Sequence, residues 1–197
     1  KTKGSGILCC IPQSGTCPMK CDDCFFQSGR SYLEPLKDNL PNMPGPSWLT
    51  SKRVVRVNDG NDSNSDRVTV MSKAAQFSMK FYNTSMPYRL DLFDAPVVLT
   101  LNPGKQTDKH VHLLSDLDAI PINLMFVRVR ANLWNTDLID QAVDHYTSKD
   151  IAVVLTFMAY YDEASIPEPY RFGYTYRKRT LNSYYAITTD AWRGVMK

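Results

Sequence analysis

Runs of β-branched and aromatic residues recur along this chain, and their character constrains the fold more than any other feature. They lie at residues 7–11, 52–57, 80–84, 96–101, 124–130 and 151–158. Several, such as Val97-Val98-Leu99 and Ile151-Ala152-Val153-Val154-Leu155, are apolar with almost no break. A strand wetted on one face alternates apolar and polar residues. A strand covered on both faces does not, and that condition is met mostly by parallel sheets with helices packed on them. Helical pattern fills some of the gaps. Leu138, Ile139, Ala142, Val143 and Tyr146 form one stripe over residues 137–146, with Asn135 or Thr136 as cap and Asp137 at the positive end of the helix dipole. Met71, Ala74, Ala75 and Met79 repeat the pattern less cleanly within 65–79. Strand, helix and strand in order predict βαβ units, and so an α/β fold of mostly parallel strands. The third connection, residues 85–95 with Pro87, is short for a parallel crossover.

The length of 197 residues suits one domain with a sizeable core, and the chain reads as a single domain over 1–197. It opens without Met and ends inside a helical pattern at Val195-Met196-Lys197, so the expectation is a fragment lacking a C-terminal extension. Its net charge of +3, from 23 basic and 20 acidic residues, argues for neither a nucleic-acid nor a membrane partner. No apolar run approaches a membrane span, and no signal peptide is visible. Past residue 158 the chain turns polar and Pro-broken, then rich in Tyr and Arg. Residues 160–179 read as loop, and Thr188 caps a last helix.

In the fifth run Arg128 and Arg130 share one parity, while Met125, Val127 and Val129 share the other. If the apolar parity packs on helices, the arginines face an interior, where charge is costly unless something polar or anionic meets it. A sheet with that face in water is the alternative.

All five cysteines lie in the first 24 residues, unlike the spread of a secreted disulfide scaffold, so a reducing, cytoplasmic setting is expected. Cys17, Cys21 and Cys24 stand in one loop, with three and then two residues between them. A structural zinc site takes four ligands. Cys9 or Cys10 could add a fourth, but adjacent strand residues point opposite ways, so at most one of them reaches the loop. His110, His112 and His145 are distant in sequence. Three ligands make sense where a fourth metal position must stay open for chemistry. The loop after the first strand of a βα barrel, at the C-terminal rim, is where such chemistry belongs.

Cys17-x3-Cys21-x2-Cys24 after a first strand resembles the signature of the radical S-adenosylmethionine (SAM) enzymes. The strand–helix order from residue 7 to the final helix looks like that superfamily's partial (β/α)6 TIM-like barrel. The resemblance implies a [4Fe–4S] cluster on the three thiolates, with one iron left to chelate the amino and carboxylate groups of SAM. It implies reductive cleavage to a 5′-deoxyadenosyl radical, which takes a hydrogen atom from a substrate the sequence does not identify. A one-electron donor such as a flavodoxin or ferredoxin would serve it. Carried over by position, the turn Asn58-Asp59-Gly60-Asn61, with Asp62 behind it, would meet the SAM amino group. Asn83, Ser85 and Asn102 would meet ribose and carboxylate. Arg130 and Asn132 would meet the carboxylate, and Met158 and Tyr160 would lie at adenine. Asp23 departs from the pattern, standing where the family commonly carries an aromatic. Two rivals remain: a non-catalytic zinc or iron–sulfur module with Cys9 or Cys10 as fourth ligand, and a degenerate barrel acting as a scaffold.

Overall fold

Strand β1 (Leu8–Cys10) begins a sheet that grows in chain order. β2 (Val55–Val57), β3 (Lys80–Thr84), β4 (Val97–Leu101), β5 (Leu124–Ala131) and β6 (Val153–Phe157) follow, each hydrogen-bonded parallel to the one before. The computed structural model describes residues 4–19, 41–49, 52–102, 120–180 and 183–197. The α/β class expected from the apolar runs is therefore found as a six-stranded parallel sheet. Among the described residues β1 and β6 are not paired with each other.

One parity of each strand packs on helices. Helix α1 (Arg67–Ala74), capped by the Asp66 carboxylate accepting from Thr69 N, buries Val70 and Ala74 against Val55, Val57, Tyr82 and Val97. Helix α2 (Thr136–Thr147) buries Ile139, Ala142 and Tyr146 against Leu99, Leu101, Val127, Val129 and Ala131. Each fully buried Val or Leu contributes roughly 1.5–3 kcal/mol, so these two clusters are the main source of cohesion. Helix α1 is shorter than the 65–79 pattern suggested, because Phe77 turns back into the core with its N–H on the Ala74 carbonyl.

The short β3–β4 crossover works without a full helix. A single 3-10 turn, Leu90–Leu92, drops Leu90 into the core, and Asn123 Nδ2 donates to the Leu90 and Phe93 carbonyls. The Tyr82 hydroxyl donates to Asp94 at 2.7 Å, and Lys80 pairs with Asp94 at 3.1 Å. Burial works against the Asp94 anion, but these two partners outweigh it and hold the carboxyl below its usual range.

Past β6 the chain changes sheets. Met158 N still donates to the Ala131 carbonyl at 2.9 Å. Then β7 (Ala159–Tyr160) joins an antiparallel sheet with β8 (Tyr174–Arg177) and β9 (Tyr184–Ile187), in the order β7-β9-β8. Part of the region expected as loop is thus a strand. Tyr174 and Tyr176 share a face, one packing on Tyr160 and the other on Tyr185, and that cross-strand aromatic contact outweighs the Pro-rich flank. The backbone at Gly173 runs so close to Leu133 that a Cβ there would collide with it. Helix α3 (Thr189–Val195) starts as expected, with the Thr188 hydroxyl accepting from Ala191 N at 3.3 Å. No helix among the described residues is long and apolar enough to cross a membrane.

Candidate functional site

The second parity of the strands carries the polar groups. Arg56 on β2, Asn83 on β3, Thr100 on β4, Arg128 and Arg130 on β5, and Thr156 on β6 all line one open cavity of about 110 Å³. It lies toward the C-terminal ends of the strands, where the β2 turn, residues 58–62, forms one wall. Thr84, Ser85 and Asn102 stand at the strand ends, and Cys17 and Met19 come from the loop after β1. The inward orientation expected of Arg128 and Arg130 follows from their neighbours: Val127, Val129 and Ala131 are fully buried against α2.

The β2 turn is built by side chains. Asn58 adopts a left-handed conformation with φ of 59°, which Asn tolerates better than most residues. Its N–H donates to the Cys10 carbonyl at 2.7 Å and its Nδ2 to Ser63 Oγ at 3.0 Å. Asp62, only 2% exposed, is the hub. Its carboxylate accepts from the Thr84 hydroxyl at 2.7 Å, Ser85 N at 2.5 Å and Asn64 N at 2.8 Å. Burial pushes its carboxyl above the usual range even though these donors pull the other way. Gln13 Nε2 reaches the Asp62 carbonyl at 2.8 Å and Asn61 Nδ2 the Gly15 carbonyl at 3.1 Å. These two bonds tie the loop after β1 to the turn after β2, and so bring Cys17 to the cavity.

Positive charge is concentrated deeper in. Arg56 pairs with Asp59 at 2.8 Å. Arg128 reaches Asn83 Oδ1 at 3.4 Å and lies over the Phe126 ring at 5.7 Å, with no carboxylate among the described residues in ion-pair contact. Burial first, then the Arg56 and Arg130 charges, push its guanidinium down to about 10, against the opposing pull of Asp59. Arg130 is 7% exposed and directs Nε at the Met158 sulfur at 3.1 Å.

Of the residues singled out in the sequence, Cys17, Asn58, Asp59, Gly60 and Asn61 line this cavity together with Asn83, Ser85, Asn102 and Arg130. Asn132, Met158 and Tyr160 do not. The Asn132 carbonyl oxygen accepts from Trp134 N and Asn135 N, leading the chain into α2. Met158 backs Arg130, and Tyr160 packs against Trp134 and Tyr174 in the antiparallel region. Cys21, Cys24 and Asp23 lie outside the described residues, as do His110 and His112. Strand alternation separates the remaining thiols. Cys10 is fully buried in the α1 cluster with its Sγ on Met43 Sδ, and Cys9 is in register with Arg56 on the cavity side. Among the described residues no group of three or more His, Cys, Asp or Glu is gathered for a metal.

Arg56, Thr100 and Thr156 were missed by the sequence reading. Arg56 carried the same signal as Arg128, a charge flanked by two apolar neighbours of opposite parity, but in a run too short to draw notice. The threonines are ordinary strand formers and gave none. No family model, curated protein or solved structure matches the chain.

Proposed function

We propose that this chain is a radical SAM enzyme core, with the sequential parallel sheet forming an open (β/α)6 barrel and the cavity at its C-terminal rim serving as the cofactor site. The observation that carries the reading is the meeting of Cys17 with polar strand-end residues from β2 through β5 in one cavity, although they are spread over more than half of the chain. Cys17, Cys21 and Cys24 would hold a [4Fe–4S] cluster above it. When bound, cluster and SAM supply one-electron reduction of a sulfonium and, through it, hydrogen abstraction from substrate.

The chain's own groups fit such a ligand. Asn58 Oδ1 is buried, accepts no hydrogen bond from any described residue, and belongs to a side chain lining the cavity. A buried acceptor in that state calls for a donor, and an ammonium supplies one. Asp59 stands beside it. Arg130, held by Met158 at its back, offers a guanidinium for a carboxylate. Asn102 and Ser85 offer amide and hydroxyl partners for a ribose. Asn132, Met158 and Tyr160 are then positioning residues for the rim. The setting would be cytoplasmic, with a flavodoxin or ferredoxin as electron donor and a substrate still to be identified.

Anaerobic reconstitution with iron and sulfide, followed by SAM and dithionite, tests this reading. The expected product is 5′-deoxyadenosine, absent from the Cys17→Ala/Cys21→Ala/Cys24→Ala variant. A chain that takes up cluster and leaves SAM intact would return the protein to the scaffold reading.

A further inference from the structure

The cavity has two tiers. Arg130 is in register with Thr156, near the rim. Arg128 lies two residues earlier on the same strand, roughly 6.6 Å deeper, in register with Thr100. Arg56 likewise precedes the rim turn by two residues, on the opposite side of the cavity. Between the two arginines in strand order come Asn83 and Thr100.

We propose that this lower tier, formed by Arg56, Asn83, Thr100 and Arg128, binds an oxyanion, a carboxylate or phosphoryl group, carried by the substrate. The proposal rests on the radical SAM reading only for the word substrate; the anion site stands on the arginines.

The surroundings of the arginines support it. Arg56 and Arg130 both lie near enough to Arg128 for their charges to add to the burial that disfavours its guanidinium. Arg128 has an amide and a ring in contact, and Asp59 acts on it only from beyond ion-pair distance, being paired to Arg56. Arg56 gives one arm to Asp59, yet its Nε is buried and donates to no described residue. The nearby Asp62 carboxylate cannot compensate, because Thr84, Ser85 and Asn64 already occupy it. Buried guanidinium groups persist where an anion meets them, and a fork of N–H donors fits the oxygens of a carboxylate or phosphoryl group. Thr100 and Asn83 line the same cavity, and Asn83 Nδ2, which spends one N–H on the Val57 carbonyl at 3.0 Å, keeps a second for such an oxyanion. The tier also lies deeper along the strands than the turn after β2.

The test uses the full chain without cluster. Melting is followed with inorganic phosphate and, separately, with sodium acetate, for wild type, Arg128→Met and Arg56→Met. At about a hundredfold excess over Kd, wild type should gain about 5 °C or more with at least one anion, and the responding anion names the group. The gain should vanish in Arg128→Met and shrink at least tenfold in apparent affinity in Arg56→Met. Equal gains in all three proteins, or no gain in wild type with either anion, overturn the proposal. A second arm uses the cluster-loaded chain. If SAM and the anion stabilise additively, the lower tier serves substrate. If SAM abolishes the anion response, these arginines serve the SAM carboxylate and the proposal fails. Failure to load cluster with the anion response intact would sink the enzyme reading and leave the anion site standing.

Discussion

On the helix side of β5, Val127, Val129 and Ala131 have no exposed surface and pack within the apolar α2 cluster. One residue away along the same backbone, Arg130 is buried almost as deeply and Arg128 is half-buried, on the side of Asn83, Thr100 and Thr156. The same contrast holds on β2, where Val55 and Val57 enter the α1 cluster and Arg56 turns to the cavity. The first face is held by area removed from water, and each residue there stabilises the fold by itself. The second face is expected to cost stability, which the proposed ligands would offset. Burial alone does not separate core from site; charge balance within the buried layer does.

Substitutions can break or sharpen that contrast. The largest effect is expected on the helix side. Tyr82→Ala removes a fully buried ring and the hydroxyl that anchors Asp94, and should cost about 4 kcal/mol in urea denaturation. A loss under about 1 kcal/mol would mean the α1 cluster is not the core it is taken to be. Next comes the rim. Asp62→Ala strands the Ser85 and Asn64 N–H groups and the Thr84 hydroxyl, with an expected loss of about 3 kcal/mol and detachment of the loop after β1. Hydrogen exchange at Asn64 and Ser85 would report it directly. On the cavity face the sign should reverse: Arg128→Met should leave stability unchanged or raise it by about 1 kcal/mol, since it removes a half-buried charge with no ion-pair partner among the described residues. A loss comparable to that of Tyr82→Ala would erase the distinction between the faces. The smallest effect concerns thiols. Burial first, then the neighbouring Cys9, push the Cys10 thiol up to about 12, so at pH 8 iodoacetamide should modify it only after unfolding. Peptide mapping before and after urea treatment checks this.

The parallel sheet was legible because covered strands leave unbroken apolar runs, and α2 because its stripe has helical period. The β8 strand was not legible. Its alternation spans four residues beside a Pro-rich stretch, and its pairing with β9 is a non-local contact that no local pattern announces. The site was legible at its rim, where Asn and Asp cluster after strands, and from the parity of the arginines on β5. Its deeper tier was half hidden. Arg56 lies in a strand of three residues, and Thr100 and Thr156 look like any strand threonine. Asn132, Met158 and Tyr160 do follow strand ends, but Asn132 turns to the start of α2 and the chain changes sheets after β6. Their side chains therefore serve the α2 start, the back of Arg130 and the aromatic cluster.

The most direct test is the electron paramagnetic resonance spectrum of the anaerobically reconstituted, dithionite-reduced chain, recorded with and without SAM. An open corner on a cluster held by Cys17, Cys21 and Cys24 predicts about four irons per chain and a signal whose g-values move when SAM is added. A spectrum indifferent to SAM, or a colourless chain holding a single zinc, would contradict the account.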